Sequence, residues 1–167
     1  MLRGALVVVC LACCQAQLLV ISPELKALLP REMVEFADSL SSKEREVVKT
    51  VNDKNGTATY IEDLKTKDEG LAKKAADRIE AFQKKFNKIS GPGQKFIESV
   101  IYEVEDKEDV DETELKQIAA SLTEKWDLLP ADIKKEIRRF FSHIARTLES
   151  KFLLETSFLN DLMKTEK

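Results

Sequence analysis

Apolar residues recur at intervals of three and four along most of the chain, which is the spacing that places them on one face of a helix. The longest series spans residues 71–89. Its members are Leu71, Ala75, Ile79, Phe82, Phe86 and Ile89. This pattern predicts a long amphipathic helix whose apolar side faces a core.

Shorter helices are predicted before this segment. We place them at Ser22–Leu29, Pro30–Leu40, Ser42–Asn52 and Thr57–Thr66. Ser41 and Glu44 have the spacing of a capping box, in which each side chain accepts a hydrogen bond from the other residue's backbone N–H at a helix start. Residues 52–56 are polar and are expected to form a turn.

Further helices are predicted in the second half of the chain, over residues 96–104, 115–129, 133–148 and 158–162. The first of these is rich in β-branched residues, so a strand is the alternative there. The acidic run Glu105–Glu114 is expected to be a loop. The pattern as a whole predicts a single all-α domain of about eight to eleven helices.

The first 16 residues have the order of a secretory leader. A cation, Arg3, precedes the apolar stretch Ala5–Cys14, and small residues at Cys14 and Ala16 suit a cleavage site. The stretch is too short to span a bilayer, and no later run of about 18 apolar residues occurs. We therefore expect a signal peptide at residues 1–16 and a secreted, extracellular helical domain at residues 17–167.

All three cysteines, at positions 10, 13 and 14, lie within the predicted leader. The exported domain would therefore have no disulfide and no thiolate metal ligand. Its stability is expected to come from side-chain packing. This composition argues against saposin-like and insect odorant-binding proteins, which are helical lipid carriers held by disulfides.

The sequence lacks the residue patterns that are typical of catalytic sites. The chain has one histidine, His143, and its position off the apolar stripe predicts a solvated side chain. No nucleophile elbow, phosphate loop or paired-histidine motif occurs. Charges of both signs are mixed, with a formal net charge of −3, so no basic stripe is available for nucleic acid. We expect no catalysis, cofactor, metal or nucleic-acid partner.

Residues 55–57 read Asn-Gly-Thr, which is a glycan acceptor sequence in an exported chain. Asn55 is therefore a candidate glycosylation site. The alternative is that Asn-Gly serves only as a turn.

Aromatic residues concentrate in the second half of the chain, mostly at core-facing positions. An ordinary packed core explains each of them. The alternative is a chamber for an apolar guest, formed by helix faces too broad to be covered by their neighbours. Its candidate lining residues are Ile79, Phe82, Phe86, Phe96, Ile97, Val100, Ile118, Leu122, Trp126, Ile137, Phe140, Phe141 and Ile144.

Three cations flank these apolar faces on the helical wheel: Arg78, Lys125 and Lys134. Long basic side chains can lay their stems along apolar surface and keep their charge in water. They are candidates to meet the carboxylate of a fatty acid at the rim. They are equally explained as boundary residues between the apolar and polar faces.

A family resemblance is visible in four blocks of sequence. The leader and the thiol-free helical pattern add to it. The four blocks are Ser22–Glu32, Ser41–Glu44, Ala75–Ile97 and Glu114–Glu136. In these blocks the chain resembles the nematode fatty-acid- and retinol-binding proteins. The resemblance implies a flattened helical wedge around an internal apolar cavity, which takes up fatty acids and retinol for uptake, transport or sequestration. Transient contact with membranes for cargo transfer is a further expected partnership.

Two turns depart from the relatives, which often carry Pro-Glu-Ala-Lys there. Gly91–Gln94 reads Gly-Pro-Gly-Gln, and Pro130–Ile133 reads Pro-Ala-Asp-Ile. The alternative function is a secreted helical module with a filled core that binds another protein. A membrane-surface protein would need a lysine-rich face opposite each apolar stripe, which the mixed charges of the chain fit poorly.

Overall fold

The structure is a computed structural model that describes residues 23–51, 57–105, 107 and 110–150. Within these residues it has nine helices and no strand. They are α1 Pro23–Lys26, α2 Arg31–Asp38, α3 Ser42–Lys49, α4 Thr57–Lys67, α5 Glu69–Phe86, α6 Gly91–Glu105, α7 Glu112–Asp127, α8 Ala131–Phe140 and α9 Ser142–Glu149. The all-α prediction is confirmed, and the strand alternative at residues 96–104 is wrong because α6 covers them. Among the described helices, none is both long and apolar enough to cross a bilayer.

Short polar side chains fix several helix starts. The predicted capping box of α3 is confirmed: the Glu44 N–H donates to Ser41 Oγ at 3.3 Å, and the Ser41 N–H donates to Glu44 Oε2 at 2.7 Å. Asp68 accepts from the first turn of α5, and Asp111 accepts from the first turn of α7. Each contact satisfies a backbone donor that would otherwise lack a partner, so these residues set where the helices begin.

The buried side chains form two apolar clusters. The larger cluster draws on α1, α2 and α5 to α9, and the smaller cluster on α2 to α5. Helix α5 has 18 residues and is therefore about 27 Å long. Its first half supplies Leu71, Ala72 and Ala75 to the smaller cluster, whereas Phe82 and Phe86 near its end belong to the larger one. Helix α5 thus joins the two parts of the core.

The last predicted core helix, over residues 133–148, is two helices in the structure. Phe141 interrupts it with φ −128° and ψ 51°, outside the helical region. The Phe141 ring is buried and lies 5.8 Å from the ring of Phe82, centroid to centroid. Neither Gly nor Pro marks this break in the sequence, and in the structure it coincides with a residue whose ring is buried in the core.

Four predictions fall outside the described residues. They are the leader at residues 1–16, the turn at residues 52–56, the glycan acceptor Asn55 and the final helix at residues 158–162. The loop predicted over Glu105–Glu114 is shorter than expected, because α6 extends to Glu105 and α7 begins at Glu112.

We predict that the contacts of Glu44 on α3 stabilise the fold less in acid than at neutral pH. The Lys74 ammonium, 2.6 Å from Glu44 Oε1, and then the Ser41 N–H lower the pKa of Glu44 from 4.5 to about 2. A carboxyl with a depressed pKa stabilises the fold above its unfolded pKa, and this contribution is lost as the pH falls from about 4.5 toward 2. Solvent screens this surface group, so we expect a loss of about 1–2 kcal/mol.

Urea unfolding at pH 6 and pH 3 measures this contribution. The Glu44→Gln variant should show a smaller acid-induced loss of stability than the wild type. Glu46→Gln on the same helix is the matched control, since Glu46 makes an exposed pair with Lys49. Equal acid sensitivity in the wild type and in Glu44→Gln would contradict the prediction.

Candidate functional site

The structure brings most of the predicted lining residues together. All of them except Ile79 and Phe140 are buried members of the larger cluster. These are Phe82, Phe86, Phe96, Ile97, Val100, Ile118, Leu122, Trp126, Ile137, Phe141 and Ile144. Phe140 is half-buried and packs against the cluster, and Ile79 is buried on α5 between the positions that serve the two clusters. The helical spacing of these residues therefore predicted one continuous apolar region.

Aromatic rings connect the helices at the centre of this region. Phe82 stacks on Phe86 with ring centroids 5.3 Å apart, and Phe96 lies 5.6 Å from Trp126. Such pairs contribute about 0.5–1.5 kcal/mol beyond the area that they bury. They hold α5 against the α8–α9 junction through Phe141, and α6 against α7.

Sequence reasoning missed the contribution of the first helices. Leu25, Leu28, Leu29 and Met33 are at most 2% exposed and belong to the larger cluster. The spacing of the three leucines is that of one helical face. Helix α1 has only four residues, so the periodic signal was too short to show that this segment closes one side of the candidate site.

The three predicted head-group cations each have a partner within the fold. Arg78 Nη1 lies 2.6 Å from Glu35 Oε2 of α2, and Lys125 pairs with Glu103 of α6. Lys134 donates to the backbone carbonyl of Asp127 at 3.0 Å and lies 5.8 Å from the centroid of the Trp126 ring. The structure therefore places the three cations in separate contacts with α2, α6 and α7.

A surface cleft of about 430 Å³ lies between α6 and α7. Its walls are Tyr102, Glu103, Lys107, Glu114, Gln117, Ile118 and Ser121. Tyr102 is 74% exposed, whereas Ile118 is only 7% exposed and belongs to the larger cluster. Lys107 pairs with Glu114 in this cleft, and Glu103 carries the ion pair with Lys125. The cleft therefore joins a polar surface to a side chain of the apolar core.

His143 is not the solvated residue that its wheel position predicts. It is half-buried, and its Nε2 contacts the backbone carbonyl of Leu29. Thr147, one turn later on α9, donates to the carbonyl of Ala27 at 3.2 Å. The N-terminal segment covers this side of α9, and the wheel of one helix cannot show such a neighbour. Among the described residues, no group of three His, Cys, Asp or Glu side chains is placed to hold a metal ion.

The chain was also compared with known protein families. Residues 23–157 match the family described as "Nematode fatty acid retinoid binding protein (Gp-FAR-1)". The chain belongs to this family. The match spans the residues of every described helix, so the family assignment rests on most of the sequence rather than on a local motif. The resemblance in the four sequence blocks is confirmed.

Curated relatives of the family are similar over most of their length. "Fatty-acid and retinol-binding protein 1" of Loa loa is 25% identical over 142 residues, which are 80% of each chain. The protein of the same name from Wuchereria bancrofti is 23% identical over 137 residues, 77% of each chain. That of Onchocerca volvulus is 24% identical over 122 residues, 68% of each chain. No solved structure matches the chain.

We predict that the stability of the fold decreases when His143 becomes protonated. Burial is the main cause that lowers the pKa of His143 below 6.5, and the Leu29 carbonyl opposes it. The folded chain therefore binds this proton less readily than the unfolded chain does. The neutral side chain is fully accommodated above pH 6.5, and stability falls as the pH decreases below that value.

Urea unfolding between about pH 5 and pH 7 tests this, because histidine is the side chain that normally titrates there. The wild type should lose stability toward the acid end of the range, and His143→Gln should not. The chain has no second histidine, so the difference between the two proteins reports on His143 alone. An imidazole pKa at or above 6.5 in an NMR titration would refute this account.

Proposed function

We propose that this chain is an exported carrier that binds fatty acids and retinol in an apolar chamber within the larger cluster. Family membership is the observation that carries the proposal, since the matched relatives are named for fatty-acid and retinol binding. Seven of the described helices direct apolar side chains into one cluster, which supports it further. A carrier of this kind catalyses no reaction.

Burial of the ligand tail supplies the energy of binding. A tail of about 15 methylenes gains roughly 0.8 kcal/mol for each, or about 12 kcal/mol in total. Association and ordering oppose a large part of this gain, which leaves a dissociation constant between micromolar and nanomolar. The rings of Phe82, Phe96, Trp126 and Phe141 supply broad apolar walls for such a tail.

The cleft between α6 and α7 is the entrance that we propose for the ligand. Ile118 lies on its wall and also in the larger cluster, so displacement of this side chain would connect surface and core. The pairs Lys107–Glu114 and Lys125–Glu103 involve partly exposed side chains. Exposed ion pairs contribute only about 0–1 kcal/mol. Breaking them would therefore add little to the free-energy cost of ligand entry. Lys125 is then the predicted head-group cation best placed to meet a carboxylate.

Export is the remaining part of the proposal. The order of charged, apolar and small residues in positions 1–16 is that of a signal peptide. Asn55 would then be exposed to glycosylation in the secretory route. A carrier outside the cell could take up, transport or sequester lipids, and transient contact with a membrane would serve transfer of the cargo.

A fluorescent fatty acid tests binding directly. With the mature protein, dansylated undecanoic acid should give a blue-shifted, saturable emission that both oleate and retinol displace. Val100→Phe places a ring in the proposed chamber, so it should weaken binding at least tenfold and cost less than about 1 kcal/mol of stability. Val48→Phe, in the smaller cluster, is the matched control. It should lower stability by about 1–3 kcal/mol through overpacking and leave the affinity of the folded protein unchanged.

Absence of a blue shift at micromolar protein would contradict the carrier and favour a module with a filled core that binds other proteins. A large loss of stability in Val100→Phe, equal to that in Val48→Phe, would show that the larger cluster has no room for a guest.

Head-group variants test whether the tail dominates affinity. Lys125→Gln should weaken fatty-acid binding by less than about fivefold, because an exposed ion pair contributes at most about 1 kcal/mol. Retinol has no carboxylate, so its binding should be unchanged. Lys84→Gln is the control, since Lys84 is an exposed cation paired with Glu80 on α5. A tenfold or larger loss for fatty acid alone would mean that the head group determines affinity.

A further inference from the structure

Helix α8 has an outward face that is strongly basic. Ile133 and Ile137 are buried, which turns the opposite side of the helix to solvent. That side carries Lys135, Arg138 and Arg139, all exposed, with Lys134 at its edge. Among the described residues, Lys135 and Arg139 have no carboxylate within ion-pair distance. Charges are mixed along the chain as a whole, whereas the exposed side chains in the C-terminal half of α8 are mainly basic.

Aromatic rings support the cations of this face. The Arg139 guanidinium lies 5.2 Å from the centroid of the Phe140 ring, and Lys88 Nζ lies 6.0 Å from it. Lys134 and Arg138 each lie 5.8 Å from the centroid of the Trp126 ring. A cation placed on a ring in this way is held in position while its charge stays near water.

Of the described carboxylates near this face, one is held elsewhere and one pairs with a cation of the face. Glu136 accepts from the Ser90 N–H at 2.8 Å, whereas Glu149 accepts from Arg138 Nε of the face itself at 2.7 Å. Asp132 is exposed in the first turn of α8, and seven residues, or about 10 Å of helix, separate it from Arg139. The basic charge therefore accumulates toward the C-terminal half of α8.

Apolar side chains border the basic face. Leu128 is 78% exposed and caps the end of α7, just before α8 begins. Phe140, at the last position of α8, is half-buried. A row of cations with apolar side chains at its margins suits the boundary between lipid head groups and acyl chains. An acidic protein would satisfy the charges but would leave Leu128 unexplained.

We propose that the outward face of α8, formed by Lys134, Lys135, Arg138 and Arg139, docks this chain onto anionic lipid bilayers. The docking itself needs no bound cargo. Its role in the transfer of lipid to or from a membrane rests on the proposed carrier function. The chain has a formal net charge of −3, so attraction to an anionic surface requires a locally basic face of this kind.

Co-flotation with vesicles tests the proposal. The mature protein should bind vesicles of phosphatidylcholine with about 30% phosphatidylserine, bind pure phosphatidylcholine weakly, and dissociate at high salt. Each cation near an anionic surface strengthens binding about fivefold, so Lys135→Gln/Arg139→Gln should weaken it about 25-fold. Lys43→Gln/Lys73→Gln is the matched control, because it removes the same charge from exposed positions on α3 and α5. The control should bind within twofold of the wild type.

Three outcomes would overturn the proposal: no binding of the wild type to anionic vesicles, unchanged binding of the α8 double variant, or an equal loss in the control. Titration with the dansylated fatty acid, run on the same proteins, keeps the two ideas separate. If vesicle binding depends on α8 but no fatty acid binds, the docking face stands and the carrier function falls. If fatty acid binds and the vesicle results fail, the carrier function stands alone.

Discussion

Packing between helices carries this fold, because the cysteines end at position 14 and no disulfide can link the described helices. Burying one large apolar side chain contributes about 1.5–3 kcal/mol, and the larger cluster collects such side chains from seven helices. Helices α2 and α5 belong to both clusters. These two helices therefore connect the two parts of the core.

Polar contacts at the margin of the core fix how the packed helices are positioned relative to one another. Glu32 is 6% exposed and pairs with Lys85, which ties α2 to the end of α5. His143 and Thr147 contact the carbonyls of Leu29 and Ala27, more than a hundred residues away in sequence. These contacts satisfy backbone groups at the ends of short elements. They fix how the N-terminal segment closes over α9, which apolar contacts alone leave adjustable.

The helices and most of the candidate site could be predicted from the sequence, because both depend on signals confined to a few turns. The period of apolar residues located α5 to α8, and Ser41 with Glu44 located the start of α3. Contacts between distant helices could not be predicted in this way. The break at Phe141, the cover over His143 and the carboxylate partners of Arg78 and Lys125 all depend on the neighbouring helix. No local pattern in the chain encodes which helix that is.

The pairing of the rim cations bears on how a protein of this family selects its ligands. A carboxylate that approaches Lys125 must share or replace Glu103, so it gains only the difference between two exposed ion pairs, which is well below 1 kcal/mol. A longer tail, in contrast, adds about 0.8 kcal/mol for each methylene. In the proposed carrier, selection by tail size would therefore outweigh selection by head group. The names of the matched relatives include both an acid and an alcohol, and the proposed energy balance would accommodate both.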